Sequence, residues 1–542
     1  MVRDRRATDL IVLLLIAAGL AVSWRVFGHV QDDAYITFRY SRNWVAGHGP
    51  VYNPGEFVEG YTNFLWMALL VIPHALGSDP VGFSWVLGLL SLGLNLWLVY
   101  RLASRVLGNR EMGLAAFALV LTSDALLGFG TSGMESALNG LLVTAWLWLG
   151  FREMYRPAGN LGWPTAVGMG LLGALGLLSR PDNALLLGIS APLILLHLRK
   201  SKRLSTRFLA LAMGSFFAVV LPWLIFKYHY YGTLLPNTFY AKTGERFWGD
   251  GLRYVGLFFL SYGLFLPLGI GLFRVRALRP ALPPGLGILG LLSLAWTGYL
   301  IWIGGDFMHF RMWIPVLPAL YIGAVFVFSR VNSLRLRFGL LGLLLLANVL
   351  HAPGFGRWYP TGFVFPLQRW TASSSGTLSF AAQGAALKQV FATADPPLRI
   401  AVGAAGALPY FAGLYTLDMY GLSDPAIARD GLPVNYGPGH RQMASLDYLE
   451  AQGIHLWIYR CDPAARPPDL STVLVRDPYF AMARAPSSGK DRARLRWLQL
   501  PVAEGFVLHC AYLTEHPQLE AGRRNGAYRE IELALPASTP KK

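Results

Sequence analysis

Residues 9–40 read DLIVLLLIAAGLAVSWRVFGHVQDDAYITFRY: an apolar run that closes on the paired carboxylates Asp32-Asp33. The run is long enough for a bilayer core, which takes about 20 apolar residues. Arg3, Arg5 and Arg6 precede it, and short loops rich in Lys and Arg stay on the cytoplasmic side of membrane proteins. The N-terminus is therefore expected inside and Asp32-Asp33 outside. The start also resembles a secretory signal, but Val22-Ser23-Trp24 is a poor cleavage site, so an uncleaved first span is expected.

The same pattern runs outward along the chain. Of 542 residues, 54% are hydrophobic and 14% charged, where a soluble domain would carry about a quarter charged. Apolar runs stand at 9–29, 81–100, 111–127, 136–150, 164–179, 184–198, 207–226, 252–273, 284–303, 312–329 and 337–350. One more, 62–77, decides the orientation. If it does not span, the clusters Arg101/Arg105/Arg110, Arg152/Arg156, Arg199/Lys200/Lys202/Arg203/Arg207, Arg274/Arg276/Arg279 and Arg330/Arg335/Arg337 all fall inside. If it spans, every cluster moves outside and the bias inverts. The 62–77 run is thus expected to lie at the outer surface as an interfacial or re-entrant helix. That leaves about eleven transmembrane helices, with the N-terminus cytoplasmic and the C-terminal part extracytoplasmic.

Beyond residue 350 the composition turns polar. Leu398–Gly403, Ile454–Tyr459, Tyr479–Arg484 and Phe506–Tyr512 read as strands, and Met443–Gln452 as a helix. The expected organisation is a polytopic α-helical membrane domain over 1–350, with an outer loop at 31–80, followed by an α/β extracytoplasmic domain over 351–542. The net charge of +17 does not indicate nucleic acid, because the basic residues are scattered among short loops with no stripe to follow phosphates. Cys461 and Cys510 are the only cysteines; export of the region would permit a disulfide, which the spacing leaves open. The chain has no internal repeat of the kind that builds many transporters.

Five outer segments concentrate the polar chemistry. The first holds Asp32, Asp33, Tyr35 and Arg39 and continues to Glu59 and Tyr61. Asp33 reads as an N-cap of the following helix; adjacent carboxylates at a membrane boundary point further, to a base or a metal ligand. The second holds Glu135, either an acid favoured by a helix N-terminus or a site residue. The third is Ser179-Arg180-Pro181-Asp182-Asn183, where Arg180 departs from the inner placement of basic residues and can pair with Asp182. The fourth carries Lys227, Asn237 and Lys242, suited to an anionic headgroup, among aromatics that also suit an interfacial belt. The fifth, Gly304 to Arg311, brings Asp306, His309 and Arg311 within six residues. One His and one Asp make weak evidence for a metal, since such sites take three or four ligands.

These segments resemble a known family. DDAYITFRYSRNWVAGHGPVYNPGEFVEGYTNFLW (32–66), SGMES, SRPDN, YYGTLLPNTFYAK and GGDFMHFRMWIPVLP are similar, in that order, to motifs of the GT-C superfamily of polytopic glycosyltransferases, nearest to the actinobacterial terminal arabinofuranosyltransferases and their bacterial homologues. Gly406 to Tyr410, Leu417 to Asp424 and Pro438-Gly439-His440 are similar to their outer domain. The resemblance implies a GT-C fold in the bacterial cytoplasmic membrane. It implies inverting transfer of a sugar, with arabinofuranose a candidate, from a polyprenyl-phosphate donor to a glycan or glycolipid acceptor at the outer face. The paired-Asp loop would supply the base: Asp32 is the expected base and Asp33 the cap. The other named residues, with Tyr410, Asp424 and His440 of the outer domain, would gather around one cavity. No organic cofactor is implied, and a divalent cation is left open. A transporter or flippase of lipid-linked glycans is the alternative, disfavoured because only Asn95, Asn139 and Asn348 interrupt the apolar runs. A binding protein using only its outer domain would give the Asp32-Asp33 loop no role.

Overall fold

The computed structural model describes residues 2–157, 159, 161–242, 248–274, 282–308, 310–350, 380–437, 440–463, 494–503 and 506–534. The chain divides into two compact units. The first comprises Met1–Val30, Thr62–Gly232 and Arg246–Thr371; the second comprises Gln31–Tyr61, Thr233–Glu245 and Ala372–Lys542. This differs from a single boundary at residue 350. Two segments inserted between apolar helices, 31–61 and 233–245, belong with the C-terminal residues.

Helix occupies each of the eleven apolar runs of the first unit. Local chemistry sets their ends. Asp79 accepts from the amides of Val81 and Gly82 at 3.0 and 2.9 Å, with Pro80 at the first helical position of Pro80–Leu107. Asn109 caps Arg110–Leu121, and Ser205 caps Thr206–Tyr231, through the same kind of bond. The helices pack closely where side chains are small. At Gly170 a Cβ would come within 2.2 Å of the Ala212 carbonyl oxygen, so Trp163–Ser179 and Thr206–Tyr231 cross nearly backbone to backbone.

Among the described residues, four helices are long and apolar enough to cross a membrane: Arg6–Arg25, Pro80–Leu107, Thr206–Tyr231 and Pro284–Ile303. A fifth crossing forms if Trp248–Ser261 and Phe265–Phe273, bent by 92°, count as one. Several of the others are too short, whereas Ser136–Met154 and Asn183–Lys200, at 19 and 18 residues, are long enough but not apolar enough. The 111–127 run breaks into Arg110–Leu121 and Asp124–Gly128, and a 12-residue helix reaches only about 18 Å. The 62–77 run is likewise two short helices, Phe64–Leu69 and Val71–Ala75.

Several polar groups inside this unit are tied down, although the buried Asn95 side chain makes no hydrogen bond among the described residues. Asn348 accepts from the Tyr321 hydroxyl at 2.7 Å and donates to the Leu119 carbonyl at 2.8 Å. Asn183 donates to Asn139 at 2.6 Å. Asp124, which the apolar pattern hid, accepts from the Tyr262 hydroxyl at 2.5 Å.

The second unit contains a six-stranded mixed sheet. Its strands are β1 (Arg399–Val402), β2 (Tyr415–Asp418), β5 (Leu456–Pro463), β6 (Arg494–Ala503), β7 (Phe506–Tyr512) and β8 (Arg529–Ala534), in the order β2-β1-β5-β7-β6-β8. β1 is parallel to β2 and β5, and the remaining pairs are antiparallel. β3 (Leu432–Gly437) and β4 (His440–Met443) form a separate antiparallel ribbon. Alternation along the strands buries both sheet faces. Ala401, Leu417, Trp457, Trp497 and Ala511 pack in one cluster, and Ile400, Val402, Ile458, Leu498 and Cys510 in another. Cys461 and Cys510 lie on the neighbouring strands β5 and β7 as free thiols. The expected strand Tyr479–Arg484 lies outside the described residues.

Candidate functional site

The 31–61 segment is folded onto the sheet of the second unit by side-chain bonds to main chain. Arg39 is fully enclosed: its Nε donates to the Tyr52 carbonyl at 2.7 Å and its Nη1 to the Pro409 carbonyl at 2.8 Å. Its Nη2 donates to Asn53 Oδ1 and the Leu414 carbonyl, both at 2.9 Å. Four of its five N–H groups are thereby engaged within the protein. Arg39 is a fastening of the loop, which corrects its expected place among the substrate ligands. Asn53 mimics a strand residue beside β2, accepting from the Thr416 amide at 3.2 Å and donating to its carbonyl at 2.9 Å. Tyr52 donates to the Ala405 carbonyl at 2.7 Å.

Replacing Arg39 with Ala would leave buried carbonyls without donors, at about 1–3 kcal/mol for each unsatisfied group. A marked fall in the thermal midpoint is expected, with little rescue by Arg39→Lys, whose point charge cannot span the same acceptors. A midpoint equal to the parent's would contradict this reading.

Asp32 sits at the start of this loop, with Oδ1 accepting from the Ala407 amide at 2.8 Å. Burial raises its carboxyl to about 7; the amide bonds of Ala407 and Gly406 oppose the rise, and the charge of Asp33 adds to it. Asp33 occupies the N-cap position of Ala34–Val45 but has helical backbone angles and makes no side-chain capping bond. The capping expectation for Asp33 is therefore corrected: the carboxylate that meets helix-start amides is that of Asp32.

Other expected ligands in this unit also do structural work. Tyr35 packs in a ring cluster with Phe38, Tyr410 and Phe411. The ring of Tyr61 lies edge-on to Tyr40 at 4.8 Å. Glu59 is buried, and its carbonyl accepts from the Asn237 amide at 2.9 Å. The Asn237 side chain donates to the carbonyls of Gly421 and Leu422 at 2.8 and 3.1 Å. Asn237 thus clips the 233–245 segment to the sheet domain, where a headgroup ligand was expected. Asp424 caps Pro425–Asp430 and accepts from the Tyr448 hydroxyl at 2.9 Å. Lys242 ends the helix Asn237–Lys242 with an exposed side chain. His440 begins β4.

The first unit gathers the remaining charges at helix ends. Glu135, buried ahead of Ser136–Met154, accepts from Arg180 Nη1 and from Asn63 Nδ2, both at 2.9 Å. Arg180 also holds Asp182 with a fork, Nε at 3.1 Å and Nη2 at 2.7 Å. The expected Arg180–Asp182 pair is present, and Glu135 joins it. Asp306 accepts from Arg311 Nε at 2.5 Å. The two groups meet through sulfur: Arg180 approaches Met312 Sδ at 3.4 Å, and Arg311 approaches Met134 Sδ at 3.6 Å.

A small cavity of about 10 Å³ lies here, lined by Ser136, Asn139, Arg180, Trp296, Arg311 and Met312 among others. A second small space, also about 10 Å³ and apolar, is lined by Leu142, Trp146, Leu147, Leu186, Leu292 and Asn183 with their neighbours. The Asn139–Asn183 bond joins the walls of the two. Lys227 is buried on Thr206–Tyr231, 6.0 Å from the ring of Trp223, which stacks on Phe64 at 3.6 Å.

His309 lies outside the described residues. Asn63, Ser136 and Asn139 were not expected at the site. The signal was present for Asn139, which follows Glu135 by one helical turn and so shares its face. Among the described residues, no group of three or more His, Cys, Asp or Glu side chains is arranged to hold a metal ion.

Residues 377–489 match the model of a domain of unknown function, DUF8728. The chain is similar to the terminal beta-(1->2)-arabinofuranosyltransferase of Mycobacterium tuberculosis, 32% identical over 325 residues, 52% of this chain and 50% of that protein. It is 28% identical over 358 residues to the enzyme of the same name from Corynebacterium glutamicum, covering 57% of this chain and 50% of the relative. The chain therefore spans about half the length of the curated relatives it matches. Its fold is shared with ArnT from Cupriavidus metallidurans bound to undecaprenyl phosphate: TM-score 0.55 and 16% identity over 93% of this chain and 98% of that one. At that identity the likeness shows a shared fold.

Proposed function

We propose that this protein is an inverting glycosyltransferase of the bacterial cytoplasmic membrane. It moves a sugar, arabinofuranose being the first candidate, from a polyprenyl-phosphate donor to a cell-envelope glycan or glycolipid at the outer face. The observation that carries the reading is the cavity lined by Arg180 and Arg311 beside an apolar space. A lipid phosphate needs both, a cationic end and an apolar run. The similarity to arabinofuranosyltransferases supports the sugar and the reaction class.

The chemistry asks for one base and one cationic clamp. The acceptor hydroxyl attacks the anomeric carbon, and its proton passes to the Asp32 carboxylate as the new C–O bond forms. The bond from the anomeric carbon to the phosphate oxygen breaks, and the electron pair leaves with the lipid phosphate. That leaving group gains charge as it departs, so arginine donors fixed in place favour the transition state over the ground state. No protonated acid is needed on the leaving side. The topology proposed with this reaction has the N-terminus and the 199–207 loop cytoplasmic, and residues 31–61 and the C-terminal unit outside.

Radiolabelled sugar transfer in isolated membranes tests the reaction, with labelled polyprenyl-phosphate sugar supplied as donor. Label in the acceptor glycan is expected; label that crosses the membrane still attached to lipid would instead favour the flippase. Cysteines placed at 200 and 360 test the topology: an impermeant reagent applied to intact cells should label only 360.

The raised carboxyl of Asp32 sets the pH dependence. Below about pH 7 the protonated form predominates and cannot act as base. Transfer should therefore rise about tenfold per pH unit below that point and level above it. Stability runs the opposite way: a raised folded-state pKa favours the folded protein at low pH, and the contribution is lost as pH rises toward 7. A pH–rate profile flat from 5.5 to 8 would contradict the assignment.

A further inference from the structure

The turn Ala405-Gly406-Ala407 lies about 370 residues away from Asp32 in sequence yet forms the floor on which Asp32 rests. At Gly406 a Cβ would come within 2.0 Å of the Asp32 carbonyl oxygen and 2.6 Å of its Oδ2. The position excludes any side chain because Asp32 lies against it. Ala407 donates its amide to Oδ1 at the start of the short helix Ala407–Ala412. Tyr52 holds the same turn from the loop side through the Ala405 carbonyl. Arg39 holds the far end of the short helix through the carbonyls of Pro409 and Leu414.

We propose that this turn of the C-terminal region is a positioning element for the catalytic base, with Gly406 and Ala407 fixing the Asp32 carboxylate in place for the acceptor hydroxyl. The inference rests on the reading of Asp32 as base. It gives the C-terminal region a direct part in the chemical step, beyond any part in acceptor recognition. The amide bonds leave lone pairs of the carboxylate for an incoming hydroxyl, since an ionised carboxylate has about four acceptor sites. They also favour the ionised form against the burial that opposes it. The titratable groups facing Asp32 are Asp33 on its own segment and Tyr52 across the loop. Asp33 disfavours its charge, and Tyr52, kept neutral by burial, does not offset this, so the amides of the turn are its stabilising partners.

Gly406→Ala in the full-length protein tests the inference, with kcat and KM for donor and acceptor measured from pH 5.5 to 9. A fall in kcat of about 10–100-fold is expected, because a shift of about 1 Å at the reacting groups is enough for such a loss. Both KM values should stay within about twofold, and the acid limb of the profile should move to higher pH as amide support weakens. Adding Asp32→Asn to Gly406→Ala should cost no more than Asp32→Asn alone, since both changes act through one carboxylate. If Gly406→Ala proves too unstable to assay, Tyr52→Phe removes only the bond to Ala405, and a smaller change of the same sign is expected. An active Gly406→Ala or Tyr52→Phe protein with unchanged kcat and an unmoved acid limb would overturn the positioning role, even with Asp32→Asn inactive. Full activity of Asp32→Asn would overturn the base assignment itself, and the positioning role with it.

Discussion

Asp32→Asn should lower sugar transfer by about 10²–10⁴-fold, the usual contribution of general-base catalysis, while the protein stays folded and still binds the lipid donor. Folding should persist because an Asn Oδ1 can still accept from the Ala407 amide at the 2.8 Å position that Asp32 uses. The loss should appear in kcat more than in KM, as befits a group that acts at the chemical step. Asp33→Asn is expected to be much milder. Its side chain makes no capping bond to the helix it precedes, so no cap is lost. Inactivity of Asp33→Asn alone would transfer the role to the neighbouring carboxylate. If both variants retained full activity, the paired-Asp loop would not supply the base. Glu135 and Asp306 would then be the next candidates, although each is already held by an arginine in the structure.

The second large effect is on stability. Arg180→Ala would strand Glu135 and Asp182, both deeply buried, with no guanidinium between them. Removing one partner of a buried ion pair costs about 3–5 kcal/mol, because the remaining charge cannot regain water. Glu135 would keep the Asn63 amide and the more distant charge of Arg311. Thermal unfolding in detergent should show a large drop for Arg180→Ala and a smaller one for Arg180→Lys, which restores the charge but not the fork. Sugar transfer should fall in both, since Arg180 lines the cavity proposed for the phosphate. An Arg180→Ala protein as stable as the parent would show that the Glu135–Arg180–Asp182 chain is not the keystone of these helix ends.

Much of this was legible in the sequence because it rests on local chemistry. The apolar runs became helices where expected, since a continuous apolar run with Asp79, Asn109 or Ser205 at its head specifies both helix and start. The strands 399–402 and 506–512 were readable because apolar and β-branched residues cluster there between polar turns. Of the residues expected around one cavity, Glu135, Arg180, Asp306 and Arg311 lie at neighbouring helix ends of the first unit, with Asp182 beside Arg180.

What the sequence hid was long-range pairing. Arg39 looked like a substrate ligand because an arginine beside two aspartates is chemically suggestive. Two of its four partners are carbonyls at Pro409 and Leu414, more than 350 positions away, and no local pattern announces them. Asn237 was misread for the same reason, its acceptors being Gly421 and Leu422. The assignment of 31–61 and 233–245 to the C-terminal unit follows from these bonds. Helix length was the other obstacle: hydropathy shows that 252–273 is apolar but not that the chain turns by 92° within it.

The central claim is a single displacement at the anomeric carbon of a polyprenyl-phosphate sugar. It is tested most directly by NMR of the product made by the purified protein in liposomes, with that lipid as the only sugar source. The expected result is a glycosidic bond of anomeric configuration opposite to the donor's, formed by the parent protein and reduced at least 100-fold by Asp32→Asn. A product that retains the donor's configuration, or sugar that reaches the other leaflet still attached to its lipid with no bond formed, would contradict it.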